Sequence, residues 1–174
     1  ASRSILGKRS IKSTANTYPT INKICNVYRI SNPKIKYAAK VIRECKISDA
    51  VELDFIGKTP DGLRHLKVFE ESDIHPGYQL SIAGFPEKQE GHSSVSVLPC
   101  VVINSFVKSK VRYFEIDKQI YAGASGAPVL NKYMQVVGMA AMGVSVGGEG
   151  DDKVIEGSNA FVSADNFFIS LRSN

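Results

Sequence analysis

Tryptophan is missing from this 174-residue chain, and histidine and cysteine are scarce, at three residues each. No apolar run approaches the roughly 18 residues needed to span a bilayer, so no membrane span is expected. The N-terminal Ala1-Ser2-Arg3-Ser4-Ile5-Leu6 lacks the core of a secretory signal. Cys25, Cys45 and Cys100 are odd in number and form no C-x-x-C pair. They read as small buried thiols in a reducing, intracellular compartment, against a disulfide framework. Nothing small and turn-forming surrounds any of the three, which argues against a catalytic cysteine. His65, His75 and His92 match no zinc-ligand spacing, so no metal is expected. The net charge is +5, but Lys and Arg are scattered from Arg3 to Arg172. Their densest cluster, Lys108-Ser109-Lys110-Val111-Arg112, has no aromatic interleaving and reads as a solvated hairpin, so no nucleic-acid partner is expected.

What is present is the makings of a β protein. A hydrophobic fraction of 43% excludes a disordered chain. The length suits one domain, or two small subdomains sharing an interface. Ile24 to Ile30 and Tyr37 to Arg43 are short β-branched or aromatic runs separated by the turn signal Ser31-Asn32-Pro33. Asp49-Ala50-Val51-Glu52-Leu53-Asp54-Phe55 alternates, which predicts a half-buried strand with Val51, Leu53 and Phe55 inward, Glu52 and Asp54 outward, and Asp49 at its entrance. Further strands are predicted at Leu80 to Pro86, Val95 to Ile103 and Val111 to Ile116, followed by a hairpin in which Asn131-Lys132-Tyr133 joins Val129-Leu130 to Val136-Met139. Only 164–171 reads as helical, with Phe167, Phe168 and Leu171 on one face. Gly147 to Asp152 matches a single copy of a calcium-binding nonapeptide, which needs stacked copies to build a site, and reads as a surface hairpin.

Against this background Gly123-Ala124-Ser125-Gly126-Ala127-Pro128-Val129-Leu130 has the composition of an exposed nucleophile turn. Small neighbours let the backbone turn sharply, so that N–H groups converge on one point while the Ser125 hydroxyl stays reachable. A Gly/Ala-rich turn with an incidental serine has the same spacing.

The segment from Ile116 to Val129, followed by Val136-Val137-Gly138, resembles the nucleophile region of trypsin-like serine peptidases, with the HtrA/Deg branch nearest and its T-D-x-x-I-x-x-G-x-S-G-G-P motif. Ser48-Asp49-Ala50-Val51-Glu52-Leu53 resembles that family's D-[IVL]-A-[LV]-L strand, Gln79 to Pro86 its V-x-x-I-G-x-P turn, Ser94 to Ile103 its S-V-T-x-G-x-V strand, and Asn159-Ala160-Phe161-Val162-Ser163 its G-F-A-I-P strand. The Ser-Gly-Ala-Pro variant is also similar to serine peptidases of some positive-strand RNA viruses. The resemblance implies an all-β fold of two six-stranded antiparallel barrels with a short C-terminal helix. The first barrel would occupy 1–66, with its opening strand expected to be trimmed, and the second 67–174. A peptide or protein substrate would be cut in the crevice between them without a cofactor.

The resemblance also implies roles. Ser125 would be the nucleophile, Asp49 the carboxylate that orients the base, and Gly123 and Ser125 the backbone donors of an oxyanion hole. Gln119, Ile120, Tyr121, Met139, Ala140, Ala141, Phe161 and Val162 would set substrate preference. With no acid among them, a small or medium apolar side chain is expected at the cleavage position. Phe161, Met139 and Ala140 are equally readable as core. The base position falls on Asn16, in Arg9-Ser10-Ile11-Lys12-Ser13-Thr14-Ala15-Asn16-Thr17-Tyr18, and no histidine precedes His65. Asparagine cannot accept a proton near neutral pH. Asn16 is a natural substitution, an engineered one, or a sign that the register is shifted, and the sequence leaves the three open. The first two make the chain nearly inactive, as a knocked-out peptidase or as a binding module on a peptidase fold.

Overall fold

A computed structural model describes residues 4–5, 21–29, 32–45, 50–69, 73–84, 95–108, 110–120, 124–144 and 158–165. The strands are β1 (Ser4–Ile5), β2 (Ile24–Arg29), β3 (Asn32–Cys45), β4 (Ala50–Phe55), β5 (Gln79–Gly84), β6 (Ser96–Lys108), β7 (Val111–Ile116), β8 (Pro128–Leu130), β9 (Val136–Val144) and β10 (Ser158–Ser163). Every strand pairing between these elements is antiparallel.

Strands β5 to β10 close into a six-stranded barrel in the order β10-β7-β6-β5-β8-β9. Closure leaves no open sheet edge. Alternation along β5 turns Leu80 and Ile82 inward, where they meet Cys100 and Val102 of β6, Phe114 and Ile116 of β7, Val129, Val137 and Phe161. Phe114 and Phe161 stack with ring centroids 5.1 Å apart at the centre of this core. Gly138 of β9 makes that packing possible: a Cβ there would lie 2.5 Å from the Phe161 ring and 2.4 Å from the Val162 carbonyl oxygen.

Strands β1 to β4 form a four-stranded sheet in the order β1-β4-β3-β2. With the closed barrel it gives the chymotrypsin-like all-β architecture. The expectation of six strands in this half also covers residues outside the described set. Strand β3 begins at Asn32, inside the expected Ser31-Asn32-Pro33 turn, because Asn32 pairs with Arg29 and, after a register shift, Lys36 pairs with Tyr28, which carries the strand beyond its apolar stretch. Glu52 differs from its predicted outward placement. It is buried beside Ala50, with its Oε2 3.6 Å from Arg43 Nε on the neighbouring strand. A register shift between Val41 and Arg43 sets Arg43 opposite Glu52, which lets a charged residue sit inward with a cation beside it.

The connector from the first sheet runs along the start of β9, where Phe69 N–H donates to Val136 O and Val136 N–H donates to Lys67 O. The predicted helix over 164–171 has helical backbone at Ala164 and Asp165, and its remainder lies outside the described residues, as does the Gly147–Asp152 segment. Among the described residues no helix is long and apolar enough to cross a membrane.

Candidate functional site

The Ser125 turn is assembled by three barrel strands. The chain leaves β7 at Asp117, whose Oδ1 accepts the Val101 N–H at 2.7 Å and whose own N–H donates to Val101 O at 3.0 Å. Three residues on, the Ile120 N–H donates to Asn159 Oδ1 of β10 at 2.7 Å. Ala127 N–H then donates to Ala124 O at 3.0 Å, closing a turn with Ser125 and Gly126 at its two central positions. Gly126 has φ +86°, a backbone that side chains resist, so glycine is required there. Strand β9 holds the turn from the other side: Gly126 N–H donates to Ala140 O and Ala140 N–H donates to Ala127 O, both at 2.8 Å. Ala124 is consequently buried in the barrel core while Ser125 is half-buried beside it.

Strand β5 packs beneath the turn. Its pairing with β8 sets Ser81 opposite Leu130 and Ile82 opposite Val129. Continuing that register brings Gly84 against Ala127.

The other predicted site residues divide by environment. Ile120, Ala140 and Phe161 belong to the main core cluster, and Val162 to a smaller one with Val111, Tyr113 and Ala160. Met139 and Ala141 are half-buried on β9, opposite Val162 and Ala160 of β10, and Gln119 is exposed. Asn16, Asp49, Tyr121 and Gly123 lie outside the described residues. Asp49 directly precedes Ala50, the first residue of β4. His65 and His75 are exposed, and the His75 ring lies edge-on to Tyr78 at 5.9 Å. Asn159 and Gly84 have no role implied by the resemblance, although both lie within the segments that carry it.

A cleft of about 460 Å³ opens elsewhere, lined by Gln79, Ser81, Pro99, Val101, Lys118 and Lys132 among others. It lies along Gln79 to Ser81 of β5, its near edge about 10 Å along the strand from Gly84 at a rise of ~3.4 Å per residue. Its lining includes no residue of the Ser125 turn, so it is separate from the candidate catalytic site. Cys100 lies against this cleft, 3% exposed. Burial, with a smaller contribution from the Asp117 charge, pushes its thiol up to about 11, so it stays protonated and unreactive near neutral pH. Cys25 is also free and raised by burial, its Sγ 3.6 Å from Ala39 O.

The comparisons with known proteins agree with this fold. Residues 10–139 match the family described as trypsin-like peptidase domain. Among solved structures, the chain is similar to Rv3671c from M. tuberculosis H37Rv, described as an inactive form with serine replaced by alanine, at 15% identity and a TM-score of 0.56. That similarity covers 79% of this chain and 65% of the other, so the chain spans somewhat less than two thirds of its length. No curated protein matches. A family match over most of the chain, on a closed barrel whose β8 is entered through a Ser-Gly turn, establishes that the chain belongs to the trypsin-like peptidase domain family.

Proposed function

We propose that the chain is a serine endopeptidase domain that hydrolyses peptide bonds through an acyl-enzyme on Ser125. The observation that carries this reading is the half-buried Ser125, held between barrel strands in a turn that only Gly126 permits, within a trypsin-like peptidase domain. The resemblance assigns oxyanion donation to the N–H groups of Gly123 and Ser125, and the bond from Gly126 N–H to Ala140 O is compatible with that assignment. Each such donor contributes about 3 kcal/mol of transition-state stabilisation. Asp49, at the mouth of β4, is assigned the carboxylate role, and Asn16 occupies the position of the base. The division of the chain into 1–66 and 67–174 is favoured by the bonds from Lys67 and Phe69 to Val136. A small or medium apolar side chain is assigned to the cleavage position, with Gln119, Met139 and Ala141 as its accessible or half-buried neighbours. The free Cys25 and Cys100 favour a reducing, intracellular compartment.

With Asn16 in the base position, Ser125 lacks the proton acceptor assigned to it, and turnover falls by a factor on the order of 10⁴ to 10⁶. This one residue also favours a second reading, in which the crevice grips a peptide or protein without cutting it. A fluorophosphonate probe separates the readings. In the Asn16→His chain, labelling at Ser125 and hydrolysis of a peptide library are expected, and both vanish on Ser125→Ala. Absence of a Ser125 adduct in Asn16→His overturns the peptidase reading, whereas tight, uncleaved binding of a peptide by the unaltered chain supports the binding module.

A further inference from the structure

We infer that Gly84 is a positioning residue for the nucleophile turn, setting the depth at which Ser125 sits against the barrel. For its catalytic consequence this rests on the reading of Ser125 given above. Ser81 faces Leu130 and Ile82 faces Val129 across the β5–β8 ladder, and two residues further the same ladder sets Gly84 across from Ala127. In a regular antiparallel pair, opposed Cβ atoms lie about 4.5–5.5 Å apart. Here a Cβ on Gly84 would lie 2.9 Å from the Ala127 Cβ and 3.7 Å from both Cα and Cβ of Ala124. The two backbones therefore approach more closely than an ordinary ladder at the residues that bracket Ser125.

The turn cannot yield sideways to accept an extra methyl. Ala127 O and Gly126 N–H are both bonded to Ala140 of β9, Ala127 N–H is bonded to Ala124 O, and Ala124 is packed in the core. Glycine is also not demanded here by backbone angle, since Gly84 lies outside the left-handed region occupied by Gly57, Gly62, Gly77 and Gly126. Close approach alone excludes a side chain. A methyl on residue 84 consequently lifts the whole Ala124–Ala127 turn away from β5, taking Ser125 with it. A misplacement of about 1 Å in a reacting group costs on the order of 10²-fold in rate.

The test moves the methyl across the contact. Three chains are compared: the unaltered one, Gly84→Ala, and the swap Gly84→Ala with Ala127→Gly, each alone and in the Asn16→His background. Amide ¹⁵N and ¹H shifts of Ser125 and Gly126 report the turn's position without any catalysis. The fluorophosphonate labelling rate reports Ser125 reactivity. Gly84→Ala is expected to displace both amide resonances and to slow labelling on the order of 10²-fold, and the swap to return the resonances and most of the rate. Unmoved amides in Gly84→Ala, unchanged labelling against a labelled parent, or a folded swap that recovers neither readout overturns the inference. If Gly84→Ala does not fold, the swap decides: recovery of fold and amide positions supports the contact, and a swap that stays unfolded overturns it. If the Asn16→His parent is never labelled while the amides move and return, the positioning contact stands and the peptidase reading falls.

Discussion

The two sheets differ in how much they bury. In the barrel, Phe114, Phe161, Val102, Val129, Leu130, Val137 and Val162 are fully buried, and closure gives every strand two neighbours. In the four-stranded sheet only Ala39, Val41, Ala50 and Glu52 are buried among the described residues, and Ile24, Ile35 and Ile56, in and beside it, stay exposed. The difference teaches where precision is stored. The Ser125 turn takes its shape from the closed barrel, whose backbone partners are fixed on all sides. In the proposed mechanism the base position and the carboxylate come from the half whose described part has the thinner core. On that proposal nucleophile geometry and base chemistry are separable, with the assigned base position at Asn16 outside the barrel strands that hold the Ser125 turn.

The strongest way to break this comparison is Phe161→Ala, which empties the centre of the barrel core and removes the stack on Phe114. It is expected to cost about 3–5 kcal/mol of stability, read by chemical denaturation. Asn131→Ala tests how far the barrel depends on its β8–β9 hairpin. Asn131 Oδ1 accepts the Tyr133 and Gln135 N–H groups, each at 3.0 Å, and its Nδ2 donates to Gln135 Oε1 at 3.0 Å. Losing these bonds at a buried turn is expected to cost about 1–3 kcal/mol.

Phe55→Ala in the first sheet sharpens the contrast. Phe55 is half-buried and meets Tyr37 edge-on at 6.5 Å, so the expected cost is about 1–2 kcal/mol. A loss as large as that of Phe161→Ala would erase the distinction between the halves.

A pH dependence is also expected from the barrel core. Cys100 titrates higher folded, at about 11, than the ordinary 9.0. The folded state holds the proton that the unfolded chain releases, so this contribution is complete below pH 9 and is lost as pH rises through about 11. The melting temperature is expected to fall over that window, and less so in Cys100→Ala. Equal slopes for both chains would remove Cys100 as the cause.

Most of the strand order was legible in the chain because alternation and turn residues are local signals. Val111 to Ile116 forms its strand with the predicted ends, and Asn131-Lys132-Tyr133 makes the predicted turn. The Ser125 turn was legible for a similar reason: Gly126 is needed at a positive φ that its own backbone imposes. Glu52 was misread, since alternation predicts a face but not the cation brought alongside by a register shift in the neighbouring strand.

What the sequence determined by itself was therefore the family, the all-β class and the Ser125-Gly126 turn, all encoded in short runs. Only the tertiary structure decided that Asn159 receives the Ile120 N–H from 39 residues away, that Gly84 meets Ala127, and that Ile120, Ala140 and Phe161 join the core. These pairings follow from barrel closure and cross-strand register, which bring distant residues together and leave no trace in local periodicity.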